Sequence, residues 1–287
     1  MDIRAYRWYG GKLRVVHELN FLIPPHRAYY EPFMGSAALL LNHPRSELEV
    51  INDLDRELVF FMKTLADREK GKLLVERLST LWLGKSFFDE AMEHKKHHYR
   101  GLDDIEKAAM IFTLISQSFN GGRKRFSKQE YKDTYTYRQD IMLHIPKVYE
   151  RLQDVHVLNM DGIELLERIA DNENAFALVD PPYRHKLRGM GADKAYACEL
   201  PHSEQVRLLE TIREAKCKII LCGYRNENGQ DLYSTYLLPH GWKCYLLKEL
   251  VKTCQIKGKR GIGREFIWVN YELPPSAKYV MSMKTYE

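Results

Sequence analysis

The chain has 287 residues, of which 45% are hydrophobic and 29% charged, with a formal net charge of +5. That length holds one large α/β domain, or a catalytic domain with a smaller lobe, and the apolar fraction suffices for a sizeable core. No stretch is long and apolar enough to cross a bilayer, the first residues lack the apolar centre of a signal peptide, and five cysteines without a C-x-x-C pair do not form a disulfide framework. A protein of the reducing cytoplasm is expected, and its mild positive charge is compatible with a polyanionic partner.

Trp8-Tyr9-Gly10-Gly11-Lys12 is a glycine-punctuated turn. VVHELNFLI follows as a short amphipathic helix, stopped by Pro24 and Pro25. AYYEPF reads as a strand ending in a turn, GSAALLLNH as a helix start, ELEVIND as a second strand closed by acidic residues, and LDRELVFFMKTL as a strong helix. Strand, helix, strand and helix at this spacing are the βαβ rhythm. From residue 57 to 150 the rhythm stops. KGKLLVERLSTLW and IEKAAMIFTLISQSF carry apolar residues at helical spacing, and the basic stretch NGGRKRFSKQEYKDTYTYR is rich in turn formers. This segment is expected to be a mainly helical insertion.

The α/β rhythm returns with VHVLN as a strand and ELLERIA as a helix. AFALVD is a nearly pure buried strand, followed at once by two prolines. EQVRLLETIREA reads as a helix and KIILCG as a strand, with Cys217 and Cys222 as small core residues. KCYLLKELV and EFIWVNYEL are the last two strands and suit an antiparallel hairpin around the basic loop CQIKGKRGIGR. Apolar strands separated by helices imply a doubly wound, mostly parallel α/β sheet. Residues 1–56 and 151–287 are thus expected to form the sheet domain, and residues 57–150 the smaller helical one.

The sharpest chemical signal is Asp180-Pro181-Pro182-Tyr183, directly after a buried strand. Ligands of open α/β sheets bind beyond the carboxyl ends of the strands. Two prolines set the backbone direction and remove two N–H donors while keeping their carbonyls. A carboxylate beside a rigid carbonyl can accept both hydrogens of an amine and steer its lone pair toward an electrophile, with Tyr183 stacking on a flat ring. Read by itself, the same stretch also suits a strand that ends in an ordinary proline turn. Arg123, Lys124, Arg125, Lys128, Lys132 and Arg138, interleaved with Phe126, Tyr131, Tyr135 and Tyr137, suit phosphate contact and base stacking, or else a solvated basic loop. Lys259 and Arg260 stand in a second basic loop with three glycines, suited to a phosphate backbone or to a plain flexible hairpin. His94, His97 and His98 lack the partners of a standard metal site, so no metal is expected.

Four elements together resemble the Dam-like, D12-class family of S-adenosylmethionine-dependent DNA adenine-N6 methyltransferases. They are the W-x-G-G-K turn at Trp8–Lys12, the E-P-F-x-G run at Glu31–Gly35, the acidic strand end Asn52-Asp53, and the D-P-P-Y tetrad at Asp180–Tyr183. The resemblance covers nearly the whole chain and is thin across the insertion. It implies a seven-stranded methyltransferase sheet, with the insertion as the DNA target-recognition domain. It also implies methyl transfer to adenine N6 in double-stranded DNA by direct displacement after base flipping. Asp180, Pro181, Pro182 and Tyr183 are then catalytic. Trp8, Lys12, Phe33, Gly35, Asp53, Asp161 and Asp180 line the cofactor site, with Asp53 on the ribose hydroxyls and Asp161 near the cofactor's adenine. Asn120, Arg123, Lys124, Arg125, Lys128, Tyr137, Arg138, Lys259 and Arg260 face DNA. Asp55 is the close rival of Asp53 for the ribose hydroxyls, with a cap of the following helix as its other reading. For Asp161 a helix cap competes as well, and for Trp8 and Lys12 a core aromatic and a solvated surface lysine. The residues leave RNA adenine, cytosine N4 and a non-catalytic DNA-binding role as alternatives. Restriction-modification enzymes and phage methylases share the pattern. One departure stands out: Ala37 occupies the place of the family's second glycine, which is harmless only where its φ stays negative.

Overall fold

Several helix starts in this chain are built on aspartates. In the computed structural model, which describes residues 2–8, 10–81, 84–118, 121–127, 134–182, 200–225, 231–251, 262–275 and 277, four of them cap long or medium helices in the same way. Asp55 opens α3 (Arg56–Ala66), and Asp67 opens α4 (Arg68–Ser79). Asp103 opens α6 (Asp104–Ser116), and Asp161 opens α8 (Gly162–Ile169). Each carboxylate accepts two backbone N–H groups of the first turn, which otherwise lack partners. A cap of this kind contributes about 1 kcal/mol. The other helices are α1 (Val16–Leu22), α2 (Ala38–Leu41), α5 (Lys85–Lys96), α7 (Thr134–Leu152), α9 (His202–Ile212) and α10 (Leu232–Leu237).

The strands are β1 (Ala28–Glu31), β2 (Leu48–Asn52), β3 (His156–Leu158), β4 (Ala175–Val179), β5 (Lys218–Gly223), β6 (Lys243–Val251) and β7 (Ile262–Val269). They form one seven-stranded sheet in the order β3-β2-β1-β4-β5-β7-β6. β1 runs parallel to β2 and β4, and β4 parallel to β5. β7 runs antiparallel to both β5 and β6. The sheet is therefore mixed, which corrects the expectation of a mostly parallel one. A parallel neighbour needs a crossover of a dozen residues or more, usually a helix. Only ten residues separate β6 from β7, so the strand returns antiparallel, as the hairpin expected there requires. β4 lies between β1 and β5 and is buried along its whole length, which is why Ala-Phe-Ala-Leu-Val shows no polar alternation. Cys217 and Cys222 are buried beside it in β5 and its lead-in.

Two compact units result. One comprises Met1–Leu13, Met34–Pro44 and Asp53–Asn159, the other Arg14–Phe33, Arg45–Asn52 and Met160–Glu287. In the first, α6 packs against α3, α4 and α5 and buries nearly every residue from Ala108 to Ser116. In the second, α9 packs against α8 and α10, beside six of the seven strands. These bounds depart from a simple division at residues 57 and 150. The Trp8–Lys12 turn, the Gly35 segment and Asp53 group with the helices, because Tyr6, Trp8 and Arg123 bind them there. α7 also begins inside the stretch that was expected to be turn-rich. No described helix is long and apolar enough to cross a membrane.

Candidate functional site

Within the sheet unit, the chain leaves β1 toward β2 on one side and returns as β4 on the other. Such a reversal opens a crevice beyond the strand ends. Glu31-Pro32-Phe33 leaves β1 there, and Asp180-Pro181-Pro182 leaves β4. Asp180 is half-buried and Pro181 buried where the chain leaves β4. Asn52, fully buried at the end of β2, ties the region together. Its Nδ2 donates to the Pro32 carbonyl at 2.8 Å and to the Met160 carbonyl at 3.0 Å, and its Oδ1 accepts from Met160 N at 3.0 Å. Gly162 starts α8 against Phe33. A Cβ at Gly162 would stand 2.7 Å from the Pro32 oxygen and 2.8 Å from the Phe33 ring, so only glycine fits. Asp161 caps α8 through Oδ1 and pairs through Oδ2 with Arg207 at 3.1 Å. The cap reading left open for it is therefore realised.

Within the helical unit, a second group surrounds Gly35. Gly35 has φ +47, and a Cβ on it would stand 2.9 Å from Trp8 Nε1. Its N–H donates to Asp53 Oδ2 at 3.0 Å, and its carbonyl accepts from the Tyr6 hydroxyl at 2.7 Å. Asp53 Oδ1 accepts the Asp55 N–H at 2.9 Å, and the Asp53 carbonyl accepts from Asn159 at 2.8 Å. Burial pushes the Asp53 carboxyl up to about 6, against the lowering effect of those two backbone N–H groups. Lys12 is 5% exposed, with Nζ 3.3 Å from the Gly10 carbonyl, and is not a solvated surface lysine. Trp8 is half-buried, with the Tyr6 ring edge-on at 5.9 Å. Ala37 has φ +49 and is fully buried, so the condition under which its methyl group is harmless is not met.

Asp55 caps α3. Burial would raise its carboxyl, but the Arg123 guanidinium and the N–H groups of Leu58 and Glu57 bring it below its ordinary value. Arg123 requires a correction. It was expected to face DNA, yet its side chain is 6% exposed. Its guanidinium pairs with both Asp55 oxygens and, at 2.8 Å, with Glu57. The charge is already neutralised by carboxylates and is not presented to a phosphate. Its neighbours Lys124 and Arg125 are exposed. Tyr137 and Arg138 fall on α7, with side chains outside the described ones. Tyr183, Asn120, Lys128, Lys259 and Arg260 lie outside the described residues. His97 pairs with Glu93 at 3.1 Å, and among the described residues no group of side chains suits a metal ion.

The sequence reading missed Tyr6, Glu57, Tyr99 and Gly162. Tyr6 and Gly162 carry a weak signal, as close neighbours of Trp8 and Asp161. Glu57 and Tyr99 carry none, because their roles depend on partners 66 and 42 residues away.

The profile of the D12 class N6 adenine-specific DNA methyltransferase family matches residues 8–251. The type II methyltransferase M1.LlaDCHI of Lactococcus lactis subsp. cremoris is 24% identical over 253 residues, covering 82% of this chain and 86% of that protein. The DNA N-6-adenine-methyltransferase of Escherichia phage P1 is 23% identical over 245 residues, or 79% of this chain, which spans 30% of that protein's length.

Proposed function

The chain belongs to the D12 class N6 adenine-specific DNA methyltransferases, and from that premise we propose that it methylates adenine N6 at a specific site in duplex DNA, with S-adenosylmethionine as donor, after the target base has left the helix. The observation that carries this reading is the placement of Asp180-Pro181-Pro182 at the carboxyl end of β4, beside the reversal of strand order.

S-adenosylmethionine, when bound, supplies an electrophilic methyl group on a sulfonium and keeps the electron pair on its sulfur. Asp180 and the Pro181 carbonyl accept the two hydrogens of the adenine amine, which leaves its lone pair directed at that methyl group. Pro182 holds the turn rigid, and Tyr183 stacks on the base. One N6 proton would leave to solvent. Asp180 acts by orientation.

The residues around Gly35 fit the donor. Both Asp53 oxygens already accept one backbone N–H, and each keeps a lone pair for a ribose hydroxyl. Hydroxyl donors also relieve a carboxylate that burial disfavours. Trp8, Lys12 and Gly35 complete that group, and Phe33 and Asp161, in the sheet unit, are assigned to the donor from the family resemblance alone. Of the DNA candidates, Lys124 and Arg125 present exposed charge, and Asn120, Lys128, Tyr137, Arg138, Lys259 and Arg260 are assigned to DNA from the sequence alone. Arg123 does not belong to that set.

The test is transfer of labelled methyl from S-adenosylmethionine to unmethylated duplex DNA, with wild type beside Asp180→Ala and the product digested to nucleosides. Label in N6-methyladenine is expected from wild type, and at least roughly a hundredfold less from the variant. Label in cytosine, or in RNA alone, would sink the proposal.

A further inference from the structure

The buried Arg123 sits in a turn whose next two residues are exposed and basic, and its guanidinium is held by Asp55 and Glu57, close in sequence to Asp53. Its guanidinium reaches Asp55, two residues after Asp53, and Glu57 on the first turn of α3. Glu57 also accepts from Lys95 at 2.7 Å and from the Tyr99 hydroxyl at 2.7 Å. The same guanidinium lies 5.8 Å from the centroid of the Trp8 ring, on its face. The opposite end of that indole is held by the turn itself: a Cβ on Gly121 would stand 2.9 Å from Trp8 Cε3. The indole is thus fitted between Gly121, in the basic turn, and Gly35, in the glycine cradle.

The backbone supports the same conclusion. Arg123 has φ +50 and Tyr99 has φ +56, a left-handed conformation that costs a non-glycine residue about 1 kcal/mol or more and persists only where the surroundings over-determine it. Both residues converge on Glu57. The Arg123 N–H is fixed by Ser118 Oγ at 2.8 Å, and Ser127 N closes the turn on the Gln117 carbonyl at 2.9 Å.

We propose that Arg123 is a positioning residue, not a DNA contact: with Gly121 it locks the basic turn at 121–127 to the cradle of Gly35 and Asp53 through Asp55, Glu57 and the face of Trp8, so that filling the cradle and placing Lys124 and Arg125 are coupled. This rests on reading the cradle as the cofactor site and the turn as facing DNA. The coupling is mechanical and needs no contact between Arg123 and either ligand. It is also reciprocal: what the turn loses on substitution, the cradle loses too.

The test uses the full chain and three variants, each first shown to be folded by its melting curve. Arg123→Lys keeps the charge but loses the fork that holds two carboxylates. Arg123→Gln removes the charge. Gly121→Ala alters no charge and pushes on Trp8. Binding of S-adenosylhomocysteine, and the salt dependence of binding to unmethylated genomic DNA, are measured for each. The expected result is cofactor-analogue binding roughly fivefold or more weaker in all three, with one DNA salt slope shared by the three variants. A slope lower by about one in Arg123→Gln than in Arg123→Lys and Gly121→Ala marks a phosphate contact by the Arg123 charge and overturns the proposal. Full rescue by lysine, or cradle binding unchanged in Gly121→Ala, overturns it as well. If Arg123→Gln does not fold, Arg123→Lys and Gly121→Ala decide. A wild-type chain that binds neither probe sinks the functional reading and the inference together. Wild-type binding with unchanged variants sinks the inference alone.

Discussion

Asp55 and Asp161 begin alike and end differently. Each caps a helix with one carboxylate, and each pairs with an arginine far along the chain. The Asp55 pair is enclosed, its side chains 6% and 11% exposed, whereas Arg207 and Asp161 are 39% and 42% exposed. Arg207 also shares itself with Glu167 and Glu204. The local motif and the chemistry of the pair are the same, so burial alone separates a structural node from a solvated network. In water an ion pair is screened and held loosely. Out of water, each charge depends on its partner.

That contrast sets the order of effects. Arg123→Gln leaves the enclosed Asp55 carboxylate without its cation, while Glu57 keeps Lys95 at 2.7 Å, and is expected to cost about 3 kcal/mol in denaturant unfolding. A loss below about 1 kcal/mol would show that the enclosed pair behaves like the exposed one. The next effect concerns Asp53, beside the same node. Its carboxyl is raised to about 6, so the fold favours its protonated form, and this group's contribution to stability declines as pH rises from about 4 through 6. Hydroxyl donors from a cofactor need the ionised form. S-adenosylhomocysteine binding is therefore expected to weaken about tenfold between pH 7 and pH 5, with proton release on binding near pH 6, read by calorimetry in two buffers. A flat profile would detach Asp53 from the cofactor.

Ala37→Gly tests strain in the same unit. At φ +49 an alanine carries a cost that glycine lacks, and a gain of up to about 1 kcal/mol in unfolding free energy is expected. A loss would mean that the methyl group's burial outweighs the backbone. The smallest effect belongs to Arg207→Gln, under about 1 kcal/mol and vanishing in high salt. An effect that persists at high salt would contradict the solvated reading of that network.

Much of this was legible beforehand, for reasons that differ by residue. The helix at Arg56–Ala66 and the strand at Ala175–Val179 follow from apolar spacing, which any local window contains. The Asp161 cap follows from its place just before an amphipathic run. Asp180-Pro181-Pro182 was legible because proline dictates its own backbone. The mixed sheet was only half legible: the last hairpin could be read, but not that β7 inserts between β5 and β6.

The sequence by itself determined the local elements, the strand-end carboxylates and the D-P-P-Y turn, because each depends on neighbours within a few residues. Only the tertiary structure decided which of Arg123, Lys124 and Arg125 is buried, and that Lys12 is enclosed. It also decided that Ala37 is strained and that burial pushes the Asp53 carboxyl up to about 6. Three adjacent basic residues look alike in a sequence. They part company because Asp55, 68 positions away, is folded beneath one of them, and the energy of a charge is set by what replaces its water.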